Sequence, residues 1–142
     1  MQVQKILLAD DDGEDRLIIQ DALQFLGVEN IIWNAENGVH ALEILEKNYE
    51  DSYTPCLIIL DLNMPKLNGT KTLNKLKSDE RFKNIPVIIY STSINPHEKE
   101  KCLLLGAHSY ITKPLSFTDS IEVARIFLQF CKLTTYSNSE KI

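Results

Sequence analysis

At 142 residues, 44% hydrophobic and 25% charged, the chain is sized for one soluble domain with a real core. Its net charge of −5 argues against a nucleic-acid surface, which needs a basic patch. No apolar run approaches the ~20 residues of a membrane span, and the short run after Lys5 cannot form a signal-peptide core, so the cytoplasm is the expected location.

Lys5 to Ala9 is an apolar run ending in Asp10, Asp11 and Asp12, which predicts a strand and then a turn. From Glu14 to Leu26 the residues Leu17, Ile18, Ala22, Leu23, Phe25 and Leu26 recur at helical spacing, and Gly27 stops that helix. Ile31 to Ala35 predicts a second strand, and Asn37-Gly38 a turn into a second helix beginning at Val39. Asn48 to Pro55 is polar and punctuated, a loop or a frayed helix end. Leu57 to Leu60 shows no polar alternation and predicts a strand buried on both faces. That strand stops at Asp61, in a loop marked by Asn63 and Pro65, with Gly69 just beyond.

Gly69 to Ser78 predicts a short, mostly solvated helix, and Val87 to Tyr90 a fourth strand ending at Ser91-Thr92-Ser93. Asn95 suits a helix cap and Pro96 a first helical position, with the helix running to Leu105 and Gly106. His108 to Thr112 predicts a fifth strand, closed by Lys113-Pro114. Ser116 to Lys132 predicts the last helix. Its apolar residues exceed one stripe and read either as a homodimer or partner surface or as a wide core face. The expected organisation is one domain over residues 1–133 and a polar tail over 134–142.

Five strands alternating with five helices predict an α/β fold with a parallel sheet between helical layers. Cys56, Cys102 and Cys131 are odd in number, far apart and without metal spacing, so buried reduced thiols are expected. His40, His97 and His108 are scattered, which speaks against a metal or catalytic role.

In such a sheet, ligands sit outside the carboxyl ends of the strands. Those ends carry Asp10 and Asp11, Asp61, Ser91 and Lys113. Crowded carboxylates repel and call for a cation. A hard divalent ion such as Mg²⁺ takes oxygen ligands and binds beside phosphate, Lys113 adds a point charge for a phosphoryl oxygen, and Ser91 offers a hydroxyl. A carboxylate nucleophile, a metal and an ammonium are the parts of phosphoryl transfer to an aspartate.

With these residues in place, the sequence from about Lys5 to Lys132 resembles the receiver domain of two-component response regulators, in particular the chemotaxis regulator and, in the length of Asn48 to Pro55, the regulators paired with bacterial phytochrome kinases. The resemblance implies a doubly wound, flavodoxin-like (βα)5 fold with strand order 2-1-3-4-5. Asp61 then matches the phosphoacceptor. Asp10 and Asp11 match the acidic pair that, with Asp61 and the backbone carbonyl of Asn63, holds Mg²⁺ or Mn²⁺. Ser91 matches the Ser/Thr and Tyr110 the aromatic of the switch, and Lys113 the lysine. The Ser91-Thr92-Ser93 triplet offers three hydroxyls, and the family spacing favours Ser91. Thr92 would give its backbone N–H to the phosphate, Asn63 and Ser93 would tune phosphoryl lifetime, and the bond to Pro114 is expected cis. The side chain of Asp12 would either tighten cation binding or face water, and Trp33, on an edge strand, is expected to pack there, with a partner contact as the alternative.

The implied partners are a sensor histidine kinase or a histidine phosphotransfer protein, and a downstream protein met through the fourth helix, fifth strand and fifth helix. No DNA or membrane partner is implied. The chain itself would be a binding module with intrinsic autophosphorylation and autodephosphorylation. A phosphohydrolase of the haloacid-dehalogenase type is the rival reading, although such enzymes carry an acid two residues beyond the nucleophile, where this chain has Asn63. An unphosphorylated receiver-like scaffold is the third.

Overall fold

Three apolar runs without polar alternation become the buried centre of a sheet. They are β1 (Ile6–Ala9), β3 (Leu57–Leu60) and β4 (Val87–Ser91), every residue of which is buried. The computed structural model describes residues 4–131. The half-buried strands β2 (Ile32–Ala35) and β5 (Ser109–Thr112) flank the three, giving a five-stranded sheet in the order β2-β1-β3-β4-β5 with every neighbouring pair parallel. The expected (βα)5 topology is therefore the observed one.

Alternate residues of each strand feed opposite faces. Ile6, Leu8, Leu57, Ile59 and Ile88 pack with Ile19 and Leu23 of α1 (Gly13–Phe25) and with Ile121 and Phe127 of α5 (Phe117–Leu128). Leu7, Ile58, Leu60, Val87 and Ile89 pack on the other side with Leu45 of α2 (Gly38–Tyr49), Leu73 and Leu76 of α3 (Gly69–Lys77) and Cys102 of α4 (Pro96–Leu104). Each helix starts on a side-chain cap: Asp12, Asn37, Asn68, Asn95 and Ser116. Such a cap contributes about 0.5–2 kcal/mol by accepting an otherwise orphaned N–H. Asp12 is exposed at the start of α1, and its carboxylate accepts from the amides of Glu14 at 2.9 Å and Asp15 at 3.4 Å.

Four local readings need correction. The last helix ends at Leu128 rather than Lys132, because Phe130 turns to meet His108 edge-on at 4.8 Å and Cys131 turns toward Cys56. The helix expected to be mostly solvated is amphipathic, with Thr72, Leu73 and Leu76 buried. Cys56 and Cys131 are not free thiols but a disulfide, their Cα atoms 5.5 Å apart, within the usual span of such a bond. The lead-in to β3 and the turn after α5 meet at the amino end of the sheet, and no local spacing announces that contact. Only Cys102 is a free, buried thiol among the described residues. The fourth correction concerns Pro114: no peptide bond among the described residues is cis, so Lys113-Pro114 is trans, the isomer an X–Pro bond prefers by about 0.5–1 kcal/mol.

Trp33 is half-buried on β2 and packs against Tyr53, 5.3 Å between ring centroids, as expected of an edge-strand aromatic. Among the described residues no helix is long and apolar enough to cross a membrane. The polar tail expected at 134–142, and the domain end expected at 133, lie outside the described residues.

Candidate functional site: an acidic pocket at the carboxyl ends of the strands

The register of the sheet brings the strand ends together. Ala9 pairs with Leu60, so Asp10 and Asp61 leave adjacent strands at the same level, and Asp61 N–H donates to the Ala9 carbonyl at 3.0 Å. Ser91 pairs with Thr112, and Lys113 N–H donates to the Ser91 carbonyl at 2.9 Å. Gly69, at the start of α3, lies against the backbone of Asp61: a Cβ there would stand 2.2 Å from the Asp61 carbonyl oxygen. That close approach is why the position takes a glycine.

Asp10 is 1% exposed and Asp61 8%, while Asp11 is exposed at the rim. Oxygens of these three carboxylates lie within 4.8 Å of one another. Lys113, its side chain 9% exposed, donates through Nζ to Asp10 Oδ2 at 2.8 Å, to Asp15 Oδ2 at 2.8 Å and, at 3.4 Å, to Asp61 Oδ2. The Tyr90 ring lies 5.8 Å from the same ammonium. Asp10 Oδ1 accepts from the Asp12 amide at 2.9 Å, and the Arg16 guanidinium donates to the Asp10 carbonyl.

Burial pushes the Asp61 carboxyl up to about 6; Lys113 draws it down, and the charge of Asp10 pushes it up again. Burial also works against the Lys113 ammonium, but the hydrogen bonds to Asp10 and Asp15 outweigh it and hold the group above the ordinary lysine range. Burial pushes the Tyr90 phenol up to about 12. One ammonium thus serves several acids, and at least one of those acids is uncomfortable when ionised. Such a donor set fits a hard divalent cation, which takes carboxylate oxygens and offsets their repulsion.

The predicted switch residues lie beside this pocket. Ser91 is fully buried, and its hydroxyl accepts from the Ser93 amide at 3.1 Å. Tyr110 is half-buried, and its hydroxyl donates to the Ser93 carbonyl at 2.9 Å. Ser93 turns its own hydroxyl onto Glu98 in α4 and away from the carboxylates. Thr92 and Asn63 are exposed in the loops after β4 and β3. The pocket therefore gathers Asp10, Asp11, Asp61 and Lys113, with Ser91 at its edge. Asp15 was missed from sequence. Its one signal was an acid in the first turn of a helix starting at the pocket rim, and first-turn acids are ordinary.

A family model for the response regulator receiver domain matches residues 6–125. Chemotaxis protein CheY1 of Helicobacter pylori is 38% identical over 112 residues, which cover 79% of this chain and 86% of that protein. The Mn²⁺-bound form of response regulator Rcp1 superposes with a TM-score of 0.78 at 29% identity, covering 89% of this chain and 93% of that one. The phosphorylated cyanobacterial phytochrome response regulator RcpA superposes with a TM-score of 0.82 at 32% identity, covering 94% and 96%. The chain belongs to the response regulator receiver family. It is a CheY- and Rcp1-like signalling module of two-component systems, and nothing supports the phosphohydrolase reading. Receiver domains bind Mg²⁺ or Mn²⁺ at their acidic pocket, and the carboxylates here suit either ion.

Proposed function

We propose that Asp61 is the phosphoacceptor of this receiver and that the pocket around it operates a partner-binding surface. The observation that supports this most is the meeting of Asp10, Asp11 and Asp61 within 4.8 Å, with the Lys113 ammonium bonded to Asp10 and Asp61. Asp10, Asp11, Asp61 and the main-chain carbonyl of Asn63 would hold Mg²⁺ or Mn²⁺, which supplies positive charge to the transferring phosphoryl group.

An Asp61 carboxylate oxygen attacks the phosphorus of a phosphohistidine in line. The new O–P bond forms as the P–N bond breaks, and the imidazole of the donor leaves with the electron pair. Lys113 moves its third N–H, now at a long 3.4 Å from Asp61, onto a phosphoryl oxygen. Ser91 exchanges the Ser93 amide for the phosphoryl group, and the Thr92 amide donates to it as well. Ser93 links Ser91, Tyr110 and Glu98, so its rearrangement passes to β5 and α4. Couplings of this kind amount to about 1–3 kcal/mol. The α4-β5-α5 face, with Leu104 exposed on it, is the surface we assign to the downstream protein or to a second copy.

Asn63 at the mouth, and Ser93 once it leaves Glu98, would set phosphoryl lifetime. The donor is a histidine kinase or a phosphotransfer protein, small phosphodonors serve in its absence, and the domain has intrinsic autophosphorylation and autodephosphorylation. We place it in the cytoplasm, where kinases are charged by ATP. Incubation with acetyl phosphate and Mg²⁺, followed by intact-mass measurement and peptide mapping, tests the assignment. One phosphoryl group on the Asp61 peptide, absent when the cation is chelated, is expected; a phosphoryl group on another peptide, or none, overturns it.

A further inference from the structure

We propose that Asp15 is a positioning residue that keeps the Lys113 ammonium in place while the cation occupies Asp10, an inference that rests on the phosphoacceptor reading of the pocket. Three observations carry it. Asp15 Oδ2 lies 2.8 Å from Lys113 Nζ, as close as Asp10 and closer than Asp61 at 3.4 Å. The two residues are 98 positions apart, so the contact is made by the fold and not by neighbouring sequence. Asp15 is also unlike an ordinary first-turn acid. It is the third residue after the cap Asp12, where an acid commonly folds back onto the cap amide. Here that amide donates instead to Asp10 Oδ1 at 2.9 Å, which leaves the Asp15 carboxylate to reach over the pocket.

An ammonium has three N–H donors. Two are spent on Asp10 and Asp15, and the third points at Asp61 with a long bond. Asp10 belongs to the carboxylate set suited to a divalent cation. Oxygens engaged by such an ion are poorer acceptors for Lys113, so cation and ammonium compete for Asp10. Asp15 lies outside that set and has no such competitor. It holds Lys113 at the rim in either state, one rotation from the phosphoryl group on Asp61. Without it, Lys113 would lean on Asp10 and Asp61 and compete harder with the cation.

The test is a double-mutant cycle read by Mg²⁺ titration calorimetry on the full chain, with no phosphorylation involved. Asp15→Ala is expected to weaken Mg²⁺ binding about tenfold in the otherwise native chain and about threefold or less in a Lys113→Ala background. An equal loss in both backgrounds makes Asp15 a bare charge and overturns the proposal, as does no loss in either. A second readout is the labelling rate by acetyl phosphate at saturating Mg²⁺. Asp15→Ala should slow it about tenfold, and Asp15→Asn, whose amide oxygen still accepts from Lys113, should restore most of it. Matching rates for the Ala variant and the native chain contradict positioning. If the native chain itself takes no phosphoryl group on Asp61, the phosphoacceptor reading fails; if it does and the cycle shows no coupling, only the role of Asp15 fails.

Discussion

Among the described residues, two clusters each gather more than one acid around a cation, and they are built to opposite rules. On the surface, Arg81 meets Glu46 through two bonds of 2.6 Å and Asp79 at 2.7 Å, with Tyr49 and Phe82 beside its guanidinium. Side-chain hydrogen bonds to Arg81 hold both acids below their ordinary range, and the hydrogen bonds to Asp79 and Glu46 hold the arginine above its own. Every charge there has its partner, and α2 is tied to the segment after α3. In the pocket, Lys113 is shared by Asp10, Asp15 and Asp61, and Asp61 is pushed up to about 6 because burial and Asp10 work against its ionised form. The satisfied cluster fastens two elements together. The unsatisfied one keeps affinity in reserve for a cation and a phosphoryl group, and that reserve is what a receiver uses.

The largest effect separating the two clusters should come from Asp61→Asn, which removes the nucleophile and should cut acetyl phosphate labelling by about a thousandfold or more, as measured by intact mass. Labelling that persists at full stoichiometry contradicts the site. Next comes the pH dependence of cation binding. With the Asp61 carboxyl near 6, only about one-tenth is ionised at pH 5, so Mg²⁺ affinity should fall about tenfold between pH 7 and pH 5 on calorimetric titration. A flat profile would show that Asp61 is not strained by burial.

A smaller effect is expected on stability. The folded state raises Asp61 from 3.8 to about 6, so it binds the proton more tightly than the unfolded chain does, and metal-free stability falls as pH rises through that window. Asp61→Asn should therefore stabilise the metal-free protein by about 1–3 kcal/mol at pH 7 in urea melts, with the gain gone at about pH 3 or below. A destabilised variant at pH 7 would mean that the Lys113 contact outweighs the burial cost. The smallest change should follow Arg81→Gln: a slightly lower melting temperature, with labelling and Mg²⁺ affinity unchanged. A loss of labelling in that variant would erase the distinction between the clusters.

The same contrast explains what was legible in the sequence. The fold was readable because β1, β3 and β4 are apolar without alternation, and because helix starts such as Asn95-Pro96 are marked by their chemistry. Asp10, Asp61, Ser91 and Lys113 were readable because parallel strands deliver their carboxyl ends to one edge. Asp15 was not, since its partner lies 98 residues away and its position is an ordinary one for an acid. The Cys56–Cys131 bond spans 75 residues with no motif at either end, so the odd count pointed to thiols instead. The cis bond expected before Pro114 rested on the resemblance alone, and the bond is trans, the isomer an X–Pro bond prefers by about 0.5–1 kcal/mol. The direction of the Ser93 hydroxyl depends on where Glu98 falls once α4 packs, which no local pattern encodes.

The central claim is that the unsatisfied cluster, and not the satisfied one, takes the divalent cation. Paramagnetic broadening of backbone amide signals by substoichiometric Mn²⁺ tests it residue by residue. The account predicts that the amides of Asp10, Asp11, Asp61, Asn63 and Lys113 broaden first, while those of Glu46, Asp79 and Arg81 stay sharp. Early broadening at Arg81 and its neighbours, or none around Asp61, would contradict it.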